Sequence, residues 1–229
     1  MREDVVRRID AGMERRLEAV RAEQAQGLRR IGWKVAVNAP AVQKALGLDG
    51  WLVSPLPARR ALHEPVFQIP AGARIHLEAE IAMCLGTSLP ARVDRSEAAD
   101  SIEAFAPAIE LVDYALPASD LGAMAEHGFF HAGSWIGSAI GPFQAIGPRF
   151  PVVYRNGGRV AGAIPDQALH DPATIALGTA ALLDRYDERL DGGDWILCGS
   201  LIEPVACEPG DVLTVDFGPM GPLEIRFEG

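Results

Sequence analysis

Cysteine is scarce in this 229-residue sequence: there are three, Cys84, Cys198 and Cys207, and they are widely spaced. Small secreted proteins that depend on disulfides usually carry closely spaced cysteines in even number. Cys84 and Cys198 also lie in apolar runs that are typical of strands. We therefore expect reduced thiols in a hydrophobic core rather than a disulfide framework.

Long hydrophobic runs and excess positive charge are also missing. No apolar run is long enough to cross a bilayer, and no hydrophobic segment follows the charged start Met1-Arg2-Glu3-Asp4. The formal net charge is −10, and the arginines near the N-terminus are interspersed with acids. Nucleic acids and anionic membranes attract clustered Lys and Arg, so neither is expected as a partner. We expect a cytoplasmic protein.

Length and apolar content indicate what the chain can build. At 48% hydrophobic residues it can bury a sizeable core, and we predict one domain over residues 1–229. Apolar residues at helical spacing, among them Ile9, Met13 and Leu17, predict that residues 1–30 form an N-terminal helical segment.

Alternating and apolar runs predict a strand-rich chain with few helices. The predicted strands are 31–37, 66–68, 77–85, 105–113, 152–154, 160–161, 195–198, 212–215 and 223–227. The predicted helices after the first are 40–47, 96–104 and 171–190, with His170 at the start of the last one. The remainder of residues 50–76 is rich in proline and is predicted to be loop.

Three glutamates stand in otherwise apolar strands. Successive side chains of a strand alternate between faces, so Glu78 and Glu80 share one face while Leu77 and Ile81 share the other. Two buried like charges are costly unless a cation neutralises them, and Glu110 on a neighbouring strand would complete an oxygen-ligand set for Mg²⁺ or Mn²⁺. The alternative is that Glu78 and Glu80 line the wet face of an amphipathic strand.

The order of six segments carries a family resemblance. They are G-W-K-V-A-V, P-A-V-Q-K-A-L-G-L-D, L-E-A-E-I-A, P-A-I-E-L-V-D, C-G-S-L-I-E-P-V and P-G-D-V-L-T-V-D-F-G-P-M-G, running from about residue 31 to the end. The chain resembles the fumarylacetoacetate hydrolase superfamily, and within it the hydratase/decarboxylase branch. The resemblance implies a β-rich α+β fold with a rolled mixed sheet and flanking helices. It also implies one catalytic domain and a small 2-oxo acid chelated to a divalent metal.

Carried onto this sequence, the resemblance assigns roles to particular residues. Glu78, Glu80 and Glu110 match the metal ligands, and Lys34 matches a lysine that moves protons beside the substrate. An apolar strand around Lys34 should desolvate its ammonium and lower its pKa, unless the head reaches water from a strand edge.

Two further candidates for substrate contact come from the resemblance and from position in the sequence. Gly199 and Ser200 match a segment whose backbone and hydroxyl face the carboxylate end of the substrate, although Gly-Ser after a strand is also an ordinary turn. His131 is a candidate for the substrate pocket, although an isolated histidine is more often a surface or core residue.

Two departures from the family pattern bear on the reaction. Leu52 stands where the branch's hydratases have a second acid, and Ile202 stands where a threonine is common. We predict a metal-dependent hydratase, a lyase, acting on a small 2-hydroxy-2,4-dienoate or 2-oxo-4-enoate. The alternatives are a 4-oxalocrotonate-type decarboxylase, a C–C-bond hydrolase using a His–Glu pair, and a noncatalytic partner subunit. The resemblance further implies a homo-oligomer in aromatic compound catabolism that associates with a pathway decarboxylase or aldolase.

Overall fold

The computed structural model describes residues 2–117, 119–141, 149–164 and 171–229, so His170 lies outside the described residues. The α-helices are α1 (Arg2–Ala25), α2 (Pro40–Leu46), α3 (Arg95–Asp100), α4 (Leu121–Glu126) and α5 (Pro172–Asp184). The strands are β1 (Arg30–Ala36), β2 (Leu52–Pro57), β3 (Val66–Gln68), β4 (Ile75–Leu85), β5 (Ile102–Asp113), β6 (His131–Ile136), β7 (Val152–Arg155), β8 (Gly158–Gly162), β9 (Trp195–Leu197), β10 (Val205–Ala206), β11 (Val212–Asp216) and β12 (Pro222–Glu228). None of the described helices combines the length and apolar character needed to span a membrane.

The larger sheet is mixed and curls on itself. Its strand order is β2-β1-β9-β4-β5-β6, with β10 paired to β4, and β1 and β9 run parallel while the other pairs are antiparallel. Three strand spacings separate β1 from β5, which is about 14 Å in a flat sheet. The ammonium of Lys34 on β1 nevertheless contacts the carboxylate of Glu110 on β5. The sheet must therefore roll its polar face inward.

A second sheet packs against the outer face of the first. Its order is β3-β12-β11-β7-β8, with β3 and β12 parallel. Side chains from this sheet, such as Val215 and Phe227, share one buried cluster with Met13 of α1 and with Leu77 and Ile81 of β4. The two sheets and the N-terminal helix are thus held by a common core. The α+β class and the rolled mixed sheet predicted from the sequence are confirmed.

The β4–β5 pair is the frame of the site. The two strands pair antiparallel from Ile75–Asp113 to Leu85–Ile102, which places Glu78 directly opposite Glu110. Leu77 and Ile81 are fully buried in the common core, so the glutamates point to the inner face of the curled sheet. The alternation predicted for this strand is confirmed.

Some helices and strands differ in extent from the prediction, and others were not predicted at all. Strand β2 was predicted to be loop because Pro55 and Pro57 lack an N–H for a sheet ladder. It lies at the sheet edge and pairs with β1 alone, where proline is tolerated. Helices α3 and α5 are shorter than predicted: β5 already begins at Ile102, and Asp187 adopts a φ of 55°, outside the helical region. The sequence patterns did not predict α4, β6 or β10.

Candidate active site

Three carboxylates converge on the inner face of the curled sheet. Oxygen atoms of Glu78, Glu80 and Glu110 all lie within 4.8 Å of one another. Glu110 is fully buried and Glu80 is 1% exposed, whereas Glu78 is partly exposed to an adjoining pocket. A wet strand face would leave such carboxylates in solvent. The alternative of an amphipathic surface strand is therefore wrong.

Burial and mutual repulsion disturb the ionisation of these acids. Burial, and then the charge of Glu110, raises the pKa of Glu78 to about 7. The same two causes raise the pKa of Glu80 well above its usual value. For Glu110, burial would also raise the pKa, but the attraction of Lys34 and the hydrogen bond from His131 outweigh it, so the pKa of Glu110 is lowered. The cluster therefore favours ionisation of Glu110, while Glu78 and Glu80 hold their protons more tightly than free carboxyl groups do.

Lys34 is anchored at the base of this cluster. Its Nζ donates hydrogen bonds to Glu110 Oε1 and, at 3.3 Å, to the carbonyl oxygen of Phe129. Gly128, Phe129 and Phe130 all have positive φ, and this left-handed stretch brings the Phe129 carbonyl to the lysine. Burial would lower the pKa of Lys34, but attraction to Glu110 and the other acids raises it. The expectation of a lowered pKa was thus wrong, because desolvation was considered without the three glutamates.

His131 lies behind Glu110 rather than in the pocket. Strand β6 carries a β-bulge at Ala132: Leu111 pairs with Gly133, but the next residue of β5, Val112, pairs with His131. The Nδ1 of His131 is 2.8 Å from Glu110 Oε1, and its side chain is fully buried. Burial lowers the pKa of the imidazole, which favours a neutral ring with its proton on Nδ1, since a carboxylate can only accept. In contrast to the predicted contact with substrate, the structure gives His131 a contact with Glu110.

Gly199 and Ser200 close the site from the turn after β9. The backbone N–H of Gly199 donates to Glu80 Oε2 at 2.8 Å. Gly199 has a φ of 99°, and a Cβ there would lie 2.5 Å from Cγ of Asn38, so only glycine fits. Ser200 is 8% exposed and lines the pocket, while its hydroxyl donates to the carbonyl oxygen of Ile202 at 2.9 Å. Gly199 therefore contacts a glutamate, and Ser200 is the member of the pair that lines the pocket.

Comparison with known proteins identifies the family of this chain. The sequence model of the fumarylacetoacetate (FAA) hydrolase C-terminal family matches residues 53–228. The chain belongs to the fumarylacetoacetate hydrolase family. That stretch contains the three glutamates, His131 and Ser200, whereas Lys34 precedes it.

Individual family members are similar to this chain over different lengths. It is 37% identical over 76 residues to 2-oxo-hept-4-ene-1,7-dioate hydratase of Escherichia coli, which spans 33% of this chain and 28% of that protein. It is 28% identical over 220 residues to 2-keto-4-pentenoate hydratase 1 of Dechloromonas aromatica (strain RCB), spanning 90% of this chain and 81% of that protein. The structure of 4-oxalocrotonate decarboxylase from Pseudomonas putida G7, complexed with magnesium and adipate, covers 93% of this chain and 83% of its own, with 20% identity and a TM-score of 0.81. The last likeness shows a shared fold.

The donor set of this family member suits a hard divalent cation. Carboxylate oxygens are the ligands that Mg²⁺ and Mn²⁺ prefer. Glu110 Oε2 is buried without a hydrogen-bond partner among the described residues, while its other oxygen is held by Lys34 and His131. One lysine does not balance three glutamates. The residues therefore fit a bound cation in both geometry and charge.

Tyr114 belongs to the site but was missed in the sequence. Its phenol hydrogen-bonds to Glu78, and burial, followed by the charge of Glu78, raises the pKa of the hydroxyl, which therefore stays protonated and donates. Its ring lies 4.7 Å from the His76 ring, centroid to centroid, at a tilt of 54°. It meets the Phe130 ring edge-on, with centroids 5.3 Å apart. A tyrosine after the predicted strand end gave no sign of this contact, although its nearness to the P-A-I-E-L-V-D motif could have drawn attention to it.

Leu52 does not line the pocket beside the glutamates. It begins β2, pairs with Ala36 and packs against Ala125 and Phe129. It lines a different cavity, together with Trp51 and residues of α1 and α5. The position at which the acid is missing is therefore not part of the described lining of the glutamate pocket. Ile202, the second departure, is buried and does line this pocket.

Proposed function

We propose that this protein is a metal-dependent hydratase of a small 2-hydroxy-2,4-dienoate or its 2-oxo-4-enoate tautomer. The observation that carries the proposal is the convergence of Glu78, Glu80 and Glu110 with Lys34 at the base of one pocket of about 320 Å³. The volume is at the lower end of the range for ligand pockets, which suits a small acid. Two of the relatives described above are named as hydratases.

The three glutamates would hold Mg²⁺ or Mn²⁺. When bound, such a cation supplies Lewis-acid polarisation of a carbonyl oxygen. Tyr114 and Gly199 support this role, because each donates a hydrogen bond to one of the carboxylates and so orients it. His131 and Lys34 together fix the orientation of Glu110.

Lys34 is the residue that we assign to proton transfer. It is buried, its raised pKa keeps it protonated, and it lines the pocket together with Glu78. A protonated ammonium there can donate a proton at Nζ and stabilise negative charge that develops on the 2-oxo group. Ser200 borders the same space and would help to orient the carboxylate of the substrate.

A decarboxylase is the second candidate, because 93% of this chain shares the fold of a 4-oxalocrotonate decarboxylase. A C–C-bond hydrolase has less support. It would need a His–Glu pair facing the substrate, but none of the described residues that line the pocket is a histidine. Several expectations from the sequence stay predictions. They are a single domain, a cytoplasmic location, a homo-oligomer, a place in aromatic compound catabolism and an association with a pathway decarboxylase or aldolase. The alternative of a noncatalytic partner subunit also stays a prediction.

The test is an ultraviolet assay of metal-stripped protein with 2-hydroxypenta-2,4-dienoate, with and without Mg²⁺ or Mn²⁺. We expect metal-dependent loss of the conjugated absorbance and formation of the 4-hydroxy-2-oxo acid. Release of CO₂ from a dienedioate without hydration of the dienoate would favour the decarboxylase. No turnover of either compound with metal present would contradict an enzymatic role in this branch.

A further inference from the structure

The pocket above the three glutamates has mainly apolar walls. They are contributed by β1 and the segment after it, by α4 and the left-handed stretch after it, and by the turn after β9. Apolar side chains of the lining include Met124, Phe129, Phe130 and Ile202, together with Val42 of α2 and Ile164 just after β8. A carboxylate placed against such walls would lose its hydration without gaining a hydrogen-bond partner.

The charges of the pocket are unfavourable for an anion at the outer end. Among the described lining residues Lys34 is the one cation, and it is engaged by Glu110 at the base. The described acids of the lining are Glu78, at the base, and Glu203, whose side chain is exposed at the mouth. After burial, the charge of Glu203 is one of the causes that raise the pKa of the Tyr114 phenol. Glu203 therefore lies on the same side of the pocket as Tyr114.

We propose that the pocket selects 2-oxo acids with an uncharged, apolar tail and rejects those with a second carboxylate, and that Glu203 is a specificity-determining residue. The inference rests on the proposed function, because it takes the 2-oxo carboxylate end to lie at the glutamates. The tail then passes Ile202 toward Glu203, where a terminal carboxylate would meet a like charge and no cation among the described lining residues. This preference differs from the dioate in the name of the Escherichia coli relative.

The test compares two ligands of equal chain length, 2-oxopentanoate and 2-oxoglutarate, by calorimetric titration in saturating Mg²⁺. The wild-type protein should bind 2-oxopentanoate at least about tenfold more tightly, the expected size of a like-charge penalty. Glu203→Arg should strengthen 2-oxoglutarate binding at least about tenfold and leave 2-oxopentanoate within about twofold. Because Glu203 is exposed, the substitution should be tolerated by the fold.

A matched control is Glu103→Arg, which makes the same charge change at an exposed position near the far end of β5. It should keep the ligand preference of the wild-type protein. Equal binding of both ligands by the wild-type protein, or equal effects of the two arginine variants, would overturn the inference while leaving the proposed function intact. Binding of neither ligand in Mg²⁺ would contradict the proposed function itself, and the inference with it.

Discussion

Replacement of Glu78 by glutamine should change how the stability of the metal-free protein depends on pH. The pKa of Glu78 is raised from 4.5 to about 7, so the folded state binds this proton more tightly than the unfolded state does. The contribution is fully present below pH 4.5 and is lost as the pH rises toward 7. At about 1.4 kcal/mol for each pKa unit, the loss is about 3 kcal/mol, and solvent screening of the partly exposed carboxyl reduces it to about 2 kcal/mol.

The assay is urea unfolding of EDTA-treated protein at intervals from pH 4.5 to 8. The free energy of unfolding of the wild-type protein should fall by about 2 kcal/mol more than that of Glu78→Gln across this range. Saturating Mg²⁺ should remove most of the wild-type loss, because the cation takes the place of the proton. Glu103→Gln serves as a control at an exposed glutamate and should follow the wild-type curve. Parallel curves for wild type and Glu78→Gln would refute the electrostatic argument.

Three further predictions follow from the same contacts. Lys34→Met should lower kcat by about 10²- to 10⁴-fold, the usual contribution of acid–base catalysis, and steady-state kinetics at saturating Mg²⁺ would show unchanged kcat if Lys34 has no such role. Tyr114→Phe removes the hydrogen bond to Glu78 and should weaken Mg²⁺ binding about tenfold or more by calorimetry, whereas equal affinity would make the tyrosine dispensable. The thiols of Cys198 and Cys207 are buried, and burial raises the pKa of Cys207 to about 12. A thiol reagent should therefore label them only after denaturation. Rapid labelling of the folded protein would contradict their burial.

The carboxylate cluster could be predicted because it depends on short-range pattern. Strand alternation puts Glu78 and Glu80 on one face whatever the rest of the chain does. To bring Glu110 opposite Glu78, only the register between β4 and β5 has to be known as well. The apolar residues around each glutamate favour burial of both strands. The family resemblance to those motifs then supplied Lys34.

The parts that could not be predicted depend on tertiary contacts. The raised pKa of Lys34 requires the curl of the sheet, which no local pattern encodes. The turn of His131 toward Glu110 depends on a bulge in β6, a strand whose Gly133 and mixed composition gave no alternating signal. Strand β2 was obscured by its prolines, because its place at the sheet edge is a property of the topology rather than of its own sequence.

The most direct test of the account is a Mn²⁺ titration of metal-free protein, followed by calorimetry or by the paramagnetic signal of free Mn²⁺. The wild-type protein should bind one cation, and Glu80→Gln should weaken binding at least about a hundredfold, because it removes one of three buried ligands that act together. Glu103→Gln should bind like the wild-type protein. Equal Mn²⁺ affinity of the wild-type protein and Glu80→Gln, or no binding by either, would contradict the claim that the three glutamates form a metal centre.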